Sequence, residues 1–132
     1  MKTNKIPFAF LFAVSLSCLL ALSARATWTY DSSAKTITDG VWVLSVTESK
    51  GELTIKGVAA GTDYRPDMTL DLAKPIDGDR EIVALAVNAF NGYGNNTGKY
   101  LTTMRFPETL QSIGGDAFKS CSHLTTVTPF LP

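Results

Sequence analysis

The chain has 132 residues, the length of about one domain. Twelve basic side chains balance twelve acidic ones, and 45% of the residues are hydrophobic. This composition excludes a basic nucleic-acid-binding arm, an acidic tail and an intrinsically disordered chain, because each requires an excess of one charge or a scarcity of apolar residues.

The first 26 residues have the three parts of a secretory signal peptide. A basic start at Lys2 and Lys5 is followed by an uncharged apolar run, residues 8–22, and by a small-x-small cleavage site at 24–26. The run of fifteen residues is shorter than the roughly 20 that a membrane-spanning helix needs. We therefore expect cleavage after Ala26 and export, to a secreted or cell-surface location, with the periplasm as the alternative destination.

A lipoprotein attached through Cys18 is the alternative interpretation of this segment. Ser15, three positions upstream, is not the aliphatic residue usual at that place, and the apolar run continues beyond Cys18 to Leu22. The cleaved signal peptide is therefore favoured.

The mature chain would have 106 residues, with nine basic and twelve acidic side chains. This balance predicts no nucleic-acid partner, because such binding depends on Lys and Arg that neutralise phosphates. No second apolar run of about 20 residues follows, so no membrane association is expected after cleavage. Cys121 would be the single cysteine, which excludes an internal disulfide and favours a buried thiol.

Residues 27–58 predict four short strands joined by tight turns. The alternating or β-branched segments are 27–30, 35–38, 41–46 and 52–56, and Asp39-Gly40 is a two-residue hairpin signal. Strands in this arrangement form a β-meander with one buried face. A loop at 57–67 and another strand at 68–72 follow, and we expect region 27–81 to be an N-terminal cap and connection.

From residue 82 the sequence repeats itself. Residues 82–90 can be laid over 110–118 at an offset of 28, and 101–104 over 124–127 at an offset of 23. The difference of five is an insertion within 93–100, which predicts a loop. A period of about 20–29 residues with apolar residues at constant positions is typical of a leucine-rich solenoid.

The repeat predicts which side chains face the core. Pro107 ends a strand because proline cannot donate to a ladder, and the Gly114-Gly115 pair is expected to let the backbone bend. The positions predicted to point inward are Leu101, Met104, Phe106, Leu110, Ile113, Ala117, Phe118, Cys121 and Leu124.

Residues 101–127, LTTMRFPETLQSIGGDAFKSCSHLTTV, resemble the BspA-type leucine-rich repeat family. Its units read roughly L-x-x-V-x-[LF]-P-x-x-[LV]-x-x-I-G-x-x-A-F-x-x-C-x-x-L, and the inward positions above, with Pro107 and Gly114, match that pattern. In the preceding half-unit, Ala86 replaces the glycine and Tyr93 replaces the cysteine.

The resemblance implies a mainly β fold in which the meander cap precedes an incomplete solenoid of ~23-residue units. About two units would occupy residues 82–132, with the last incomplete. Proteins of this family are typically bacterial secreted or surface proteins, and some are adhesins. The family has no shared catalytic residues, so the resemblance implies a non-catalytic protein that mediates protein–protein interaction or adhesion.

Two groups of residues are predicted to contact a protein partner of unknown identity. The exposed tyrosines of the insertion are one group, because loops on a rigid scaffold often carry binding. The outward strand positions are the other. The candidate residues are Thr102, Thr103, Arg105, Thr125, Thr126, Tyr93 and Tyr100.

A carbohydrate- or cell-wall-binding module is the alternative function. It would use Trp28, Tyr30 and Trp42 as a stacking platform, although aromatic residues in a small meander more often form its core.

We expect no enzyme, metal or cofactor. Cys121 lies two residues from His123, the single histidine, but the repeat places the thiol inward and the imidazole outside, with no third group assigned to orient it. Residues 77–81 lack the ligand spacing of a calcium loop. One histidine and one mature cysteine cannot complete a zinc site.

The C-terminal edge presents a physical difficulty for this fold. A solenoid generally needs at least ~3 repeats and an end cap. The sequence stops just after a predicted strand, so we expect the edge to be unprotected or covered by something else. Part of a longer repeat protein is the favoured explanation, and self-association through this edge is the second.

Overall fold

The computed structural model describes residues 27–129. The predicted signal peptide, residues 1–26, and the last three residues of the predicted repeat region lie outside the described residues. The described chain is mainly β, as predicted, and its strands form two open sheets. No helix within 27–129 is long and apolar enough to cross a membrane.

Nine strands and one short helix make up the described chain. They are β1 (Thr29–Asp31), β2 (Thr36–Thr38), β3 (Val43–Ser49), β4 (Glu52–Val58), β5 (Met68–Asp71), β6 (Glu81–Leu85), α1 (Asn96–Tyr100), β7 (Leu101–Arg105), β8 (Ser112–Ile113) and β9 (Thr126–Thr128). One sheet has the order β1-β2-β3-β4-β6-β8, and the other has the order β5-β7-β9.

The predicted meander is confirmed: β1 to β4 pair antiparallel in chain order. The β2–β3 connection is wider than a two-residue hairpin. The Asp39 carboxylate accepts hydrogen bonds from the backbone N–H groups of Val41 at 3.0 Å and Trp42 at 2.8 Å. Because this side chain holds both residues in the turn, β3 begins at Val43 and not at the predicted Val41.

Beyond the meander, the chain alternates between the two sheets. It passes from β4 to β5, from β6 to β7 and from β8 to β9, and each passage places one strand in each sheet. Strands contributed by successive passages are parallel neighbours, so β4, β6 and β8 pair in one sheet and β5, β7 and β9 in the other. We call β4/β5, β6/β7 and β8/β9 the first, second and third strand pairs.

The strand register has the same offsets as the sequence repeat. Leu85 pairs with Ile113, an offset of 28, and Met104 pairs with Val127, an offset of 23. The stacking continues past the strands, because the Phe90 and Phe118 rings lie 5.6 Å apart between centroids and are nearly parallel. Residues that match in the sequence are therefore neighbours in space.

The parallel pairing begins earlier in the chain than the sequence repeat does. Strand β4 belongs to the predicted cap, yet it pairs antiparallel with β3 on one side and parallel with β6 on the other. The β4 residues align with β6 at offsets of 29 and 30, at Leu53 with Ile82 and at Ile55 with Leu85, with a register shift between them, so the repeat is less regular here than from residue 82 onwards.

One hydrophobic cluster fills the space between the sheets. Among the predicted inward positions, Leu101, Met104 and Ala117 are buried. Five more are half-buried and pack against the cluster: Phe106, Leu110, Phe118, Cys121 and Leu124. Ile113 differs from the prediction, because it lies on the edge strand β8 and is 49% exposed.

The Gly114-Gly115 pair has a different role from the predicted bend. Neither glycine has a positive φ. A Cβ on Gly114 would lie 2.4 Å from the backbone nitrogen of Val87, whereas a Cβ on Gly115 would meet nothing within 4 Å. Gly114 therefore allows the chain just after β8 to lie close to the backbone of Ala86 and Val87. Gly115 makes no such contact.

Candidate interaction surface

The three-stranded sheet presents two polar rows on its outward face. The register sets Thr69, Thr103 and Thr126 side by side, as neighbours on β5, β7 and β9. Strands in a sheet lie about 4.8 Å apart, so the three threonines form a short regular ladder. Two residues further along, Asp71, Arg105 and Thr128 form the second row.

The charges of the second row compensate one another. The Arg105 guanidinium donates to the Asp71 carboxylate at 2.9 Å, and the Asp71 side chain is the more buried of the two. Exposed ion pairs contribute about 0–1 kcal/mol to stability, so this pair mainly fixes the direction of the arginine. Arg105 stays half exposed and keeps further N–H donors for a ligand.

The structure separates the five predicted strand positions into two groups. Arg105, Thr125 and Thr126 are exposed. Thr102 and Thr103 are half-buried, which corrects the prediction of a freely outward pair. The Thr102 hydroxyl donates to the Met68 carbonyl oxygen at 3.2 Å, so it is used within the protein and is less available to a partner.

The inserted segment is more ordered than the loop predicted for it, because residues 96–100 form α1. The Asn95 side chain caps this helix by accepting from the Gly98 N–H at 3.1 Å. Tyr93 is 83% exposed, in agreement with its predicted place on the surface. Tyr100 is half-buried and its ring lies 6.1 Å from that of Tyr64, so the prediction that it is exposed is wrong.

Close backbone contacts anchor the insertion to the scaffold. A Cβ on Gly98 would lie 2.3 Å from the Gly92 carbonyl oxygen and 2.8 Å from that of Ser120. Thr97 is buried, and its hydroxyl is 3.0 Å from the Tyr64 hydroxyl. The segment that carries Tyr93 is therefore fixed against the third strand pair's chain, which lowers the entropy that binding would cost.

A shallow polar pocket lies beside Tyr93, with a volume of about 390 Å³. Lys99 from α1 and His123 from the segment before β9 contribute to its wall. The His123 Nδ1 lies 3.1 Å from the Gly98 carbonyl oxygen and 3.3 Å from the Ser122 hydroxyl. The sequence alone did not predict that Lys99 and His123 lie beside Tyr93, because their positions depend on how the chain segments pack against one another.

Thr69 and Asp71 were also missed as members of the outward face. The alternation of residues 68–72 contained a usable signal, because it places both side chains opposite the buried Met68, Leu70 and Leu72. Their alignment with Thr103 and Arg105, at an offset of 34, could not be read from the sequence.

The aromatic residues of the meander do not form the platform required by the alternative function. Trp28 is 0% and Trp42 is 1% exposed, so neither ring face is available to a sugar. Tyr30 is half-buried, with the Arg80 guanidinium carbon 4.2 Å from its ring centroid. Sugar stacking requires an open aromatic face, so this geometry does not support a carbohydrate-binding platform here.

The Cys121 and His123 side chains have separate partners. The Cys121 thiol donates to the Phe90 carbonyl oxygen at 2.9 Å, while the imidazole contacts Gly98 and Ser122. Burial raises the pKa of the Cys121 thiol, and a backbone hydrogen bond from Gly92 lowers it to a smaller degree. A thiol in this state is a weak nucleophile.

The acidic turn at 77–79 serves the fold. The Asp77 carboxylate accepts from the Tyr30 backbone N–H at 3.0 Å, which joins the turn to β1. Gly78 and Asp79 both have positive φ. Within residues 27–129, no group of three His, Cys, Asp or Glu side chains is placed to hold a metal ion.

A cleft of about 390 Å³ lies where β5, β7 and β9 end. Lys74 and Arg105 line it, but each is already paired with a carboxylate, Asp39 and Asp71 respectively. Glu81 and Glu108 share its wall, so the cleft has no single sign of charge.

Comparisons with family models, with curated proteins and with solved structures found no match for this chain.

Proposed function

We propose that this chain is an exported, non-catalytic protein of the BspA-type leucine-rich repeat kind, which binds another protein through its outward sheet face and the neighbouring insertion. One observation carries the proposal: the strands pair in parallel at the offsets of the sequence repeat, 28 and 23. In a solenoid each unit stacks on the next, so equivalent residues become neighbours.

In this interpretation the three strand pairs are successive turns of a solenoid, and β1 to β3 cap its first turn. Parallel strands in both sheets support it, as does the continued stacking of Phe90 on Phe118. The repeat array would begin at β4, about one turn earlier than the sequence repeat indicates.

A protein partner fits the chemistry of the candidate surface. Arg and Tyr are enriched in protein interfaces, and here Arg105 is held in place by Asp71 while Tyr93 stands on an anchored segment. The Thr69, Thr103 and Thr126 ladder supplies hydroxyl groups in the row next to that of Arg105. The surface therefore combines an aromatic anchor, a directed cation and neutral hydrogen-bonding groups.

The test is quantitative binding of the purified exported protein to panels of extracellular proteins and of glycans. The Tyr93→Ala/Arg105→Ala variant should lower the affinity for a protein ligand by about tenfold or more, the usual effect of losing interface anchors. Thr47→Ala/Lys56→Ala, two exposed positions on the six-stranded sheet, is the matched control and should bind normally. Circular dichroism verifies the fold of both variants.

Equal affinity of the two variants for every bound protein would contradict the proposed surface. Binding restricted to glycans would contradict the protein-partner class. A hydrolase activity lost in Cys121→Ala would contradict the non-catalytic proposal. Export is tested separately, by the intact mass of the exported protein, which should begin at Thr27.

A further inference from the structure

The shallow pocket beside Tyr93 carries positive charge in a chain that is otherwise mildly acidic. It lies between the insertion and residues 120–123. The described residues that line it include Lys99 and His123 but no Asp or Glu. Residues 27–132 together carry nine basic and twelve acidic side chains. We call this cavity the Tyr93 pocket, and its charge indicates a site for an anionic group.

Lys99 supplies the charge of the Tyr93 pocket. Five of the nine basic side chains within residues 27–129 form ion pairs with a carboxylate, and Lys99 is not one of the five. Its ammonium lies 5.1 Å from the centroid of the Tyr100 ring. An aromatic ring attracts a cation without neutralising it, so Lys99 is held in place and keeps its charge for a ligand.

Close backbone contacts fix the shape of the Tyr93 pocket. A Cβ on Gly92 would lie 2.5 Å from the Gly98 Cα and 2.6 Å from the Ser120 carbonyl oxygen. The Gly92 N–H donates to the Lys119 carbonyl oxygen at 2.7 Å. The His123 Nδ1 lies 3.1 Å from the Gly98 carbonyl oxygen, which holds the imidazole against α1. Because these contacts join the segments that form the walls, a ligand has little further ordering to induce.

The groups in the wall favour one chemical class of anion. Lys99 gives one permanent positive charge, and the Asn96 amide and Ser120 hydroxyl are neutral donors. One ammonium matches one carboxylate. A phosphate group carries about 1.5–2 negative charges at pH 7, and the residue best suited to it is arginine, which the described lining of this pocket lacks. A carboxylate is therefore the favoured ligand group.

The size and the position of the Tyr93 pocket favour a carboxylate carried by a protein. Its volume of about 390 Å³ is at the small end of ligand pockets, which suits one side chain. Tyr93 stands at its rim with 83% of its surface exposed, and tyrosine is among the residues that most often anchor protein interfaces.

We infer that the Tyr93 pocket binds an Asp or Glu side chain of the protein partner, while the Tyr93 ring packs against neighbouring residues of that partner. The inference rests on the proposed function and deepens it, because it gives the chemistry of the partner at one end of the proposed surface. It also assigns a binding role to Lys99.

Nuclear magnetic resonance titration of the purified exported protein with two capped peptides tests the pocket. The probes are acetyl-Gly-Glu-Gly-amide and acetyl-Gly-Gln-Gly-amide, which differ by one charge. The glutamate peptide should shift the amide signals of Gly98, Lys99 and His123, and it should bind about fivefold or more tightly than the glutamine peptide. Raising the salt concentration from about 0.05 M to about 0.5 M should reduce this preference, because salt screens exposed charges.

Charge-changing variants locate the preference in the Tyr93 pocket. Lys99→Gln should remove it. Lys35→Gln, at an exposed lysine in the turn before β2, changes the net charge equally and should keep it. Asn96→Asp places a carboxylate in the wall and should also remove the preference, which provides a second variant if Lys99→Gln does not fold.

Equal binding of the two peptides by the wild type would overturn the inference, as would a preference for glutamate that survives in Lys99→Gln and Asn96→Asp. Tighter binding of sialyllactose or inorganic phosphate, with shifts of the same signals, would assign the pocket to another anion and overturn it as well. A protein partner that needs Tyr93 and Arg105 but binds Lys99→Gln with unchanged affinity would overturn this inference and leave the proposed function standing.

Discussion

The indole N–H of Trp42 donates a hydrogen bond to the Thr69 carbonyl oxygen at 2.9 Å, which links the meander to the free edge of β5. Trp28 makes the equivalent bond to Asp71, two residues along the same strand. Both rings are buried. The two tryptophans thus combine apolar burial with satisfaction of carbonyl groups that an edge strand would leave without a partner in the protein.

Trp42→Phe keeps an aromatic ring and removes the donor. We expect the free energy of unfolding to fall by about 1–3 kcal/mol, because the Thr69 carbonyl loses its indole donor at a partly buried position. Urea denaturation followed by circular dichroism measures the change. Tyr93→Phe, which alters an exposed hydroxyl, is the control and should stay within about 0.5 kcal/mol of wild type. Equal stability of Trp42→Phe and wild type would show that water replaces the bond without cost.

Adjacent glycines provide a paired test of the stacking. Gly114→Ala should lower the free energy of unfolding by about 1–3 kcal/mol, because the new Cβ meets the Val87 backbone and the segments must separate. Gly115→Ala has open space and no positive φ, so its stability should be unchanged or slightly higher. Thermal unfolding of the two variants compares them. A loss of the same size at both positions would contradict the close approach at Gly114.

The buried ion pair between Asp39 and Lys74 predicts a dependence of stability on pH. The Asp39 side chain is almost fully buried, and the Lys74 ammonium lies 2.9 Å from its carboxylate. Burial raises the pKa of Asp39, but hydrogen bonds from Lys74 and from the backbone N–H groups of Trp42 and Val41 outweigh it, so the pKa lies below its ordinary value.

A carboxyl group with a lowered pKa stabilises the folded state when it is ionised. Its contribution is complete above the unfolded pKa of about 3.9 and is lost as the pH falls through the lower folded value. Asp39→Asn should therefore be less stable than wild type at pH 7, and the difference should shrink below about pH 4.

Urea denaturation at a series of pH values measures this difference. Glu108→Gln, at an exposed carboxylate, is the control and should match wild type at pH 7. A difference between Asp39→Asn and wild type that stays constant down to pH 2 would contradict the assignment.

The Cys121 thiol should react slowly in the folded protein. Its pKa is raised by burial, and its hydrogen is engaged by the Phe90 carbonyl. Alkylation at pH 7.5, followed by mass spectrometry, should be at least about tenfold slower in buffer than in urea, since the thiolate is the reactive form. Rapid alkylation under native conditions would show that the segment around Cys121 opens readily.

Local patterns in the sequence predicted the parts of the fold that depend on near neighbours. The alternation in residues 35–56 was sufficient for the meander, because consecutive antiparallel strands need only short turns. The repeat at offsets of 28 and 23 predicted the register of the later strands, because equivalent residues must occupy equivalent places in a stack.

The candidate surface was only partly predictable. Arg105, Thr126 and Tyr93 lie at the surface as expected, since strand alternation and a polar insertion are local signals. Tyr100 is half-buried because α1 turns it towards Tyr64, a contact between segments far apart in the sequence.

By itself, the sequence determined the strand alternation, the repeat and the pairing that the repeat requires. Only the tertiary structure decided which side chains at the edges of the two sheets are buried and which are exposed. Leu85 and Ile113 occupy the same repeat position, yet one is buried and the other half exposed. Trp28 and Trp42 could have been ligand-binding aromatics, but they close the edge of β5. Burial depends on what lies beyond a residue in the stack, and residue type and spacing do not specify that neighbour.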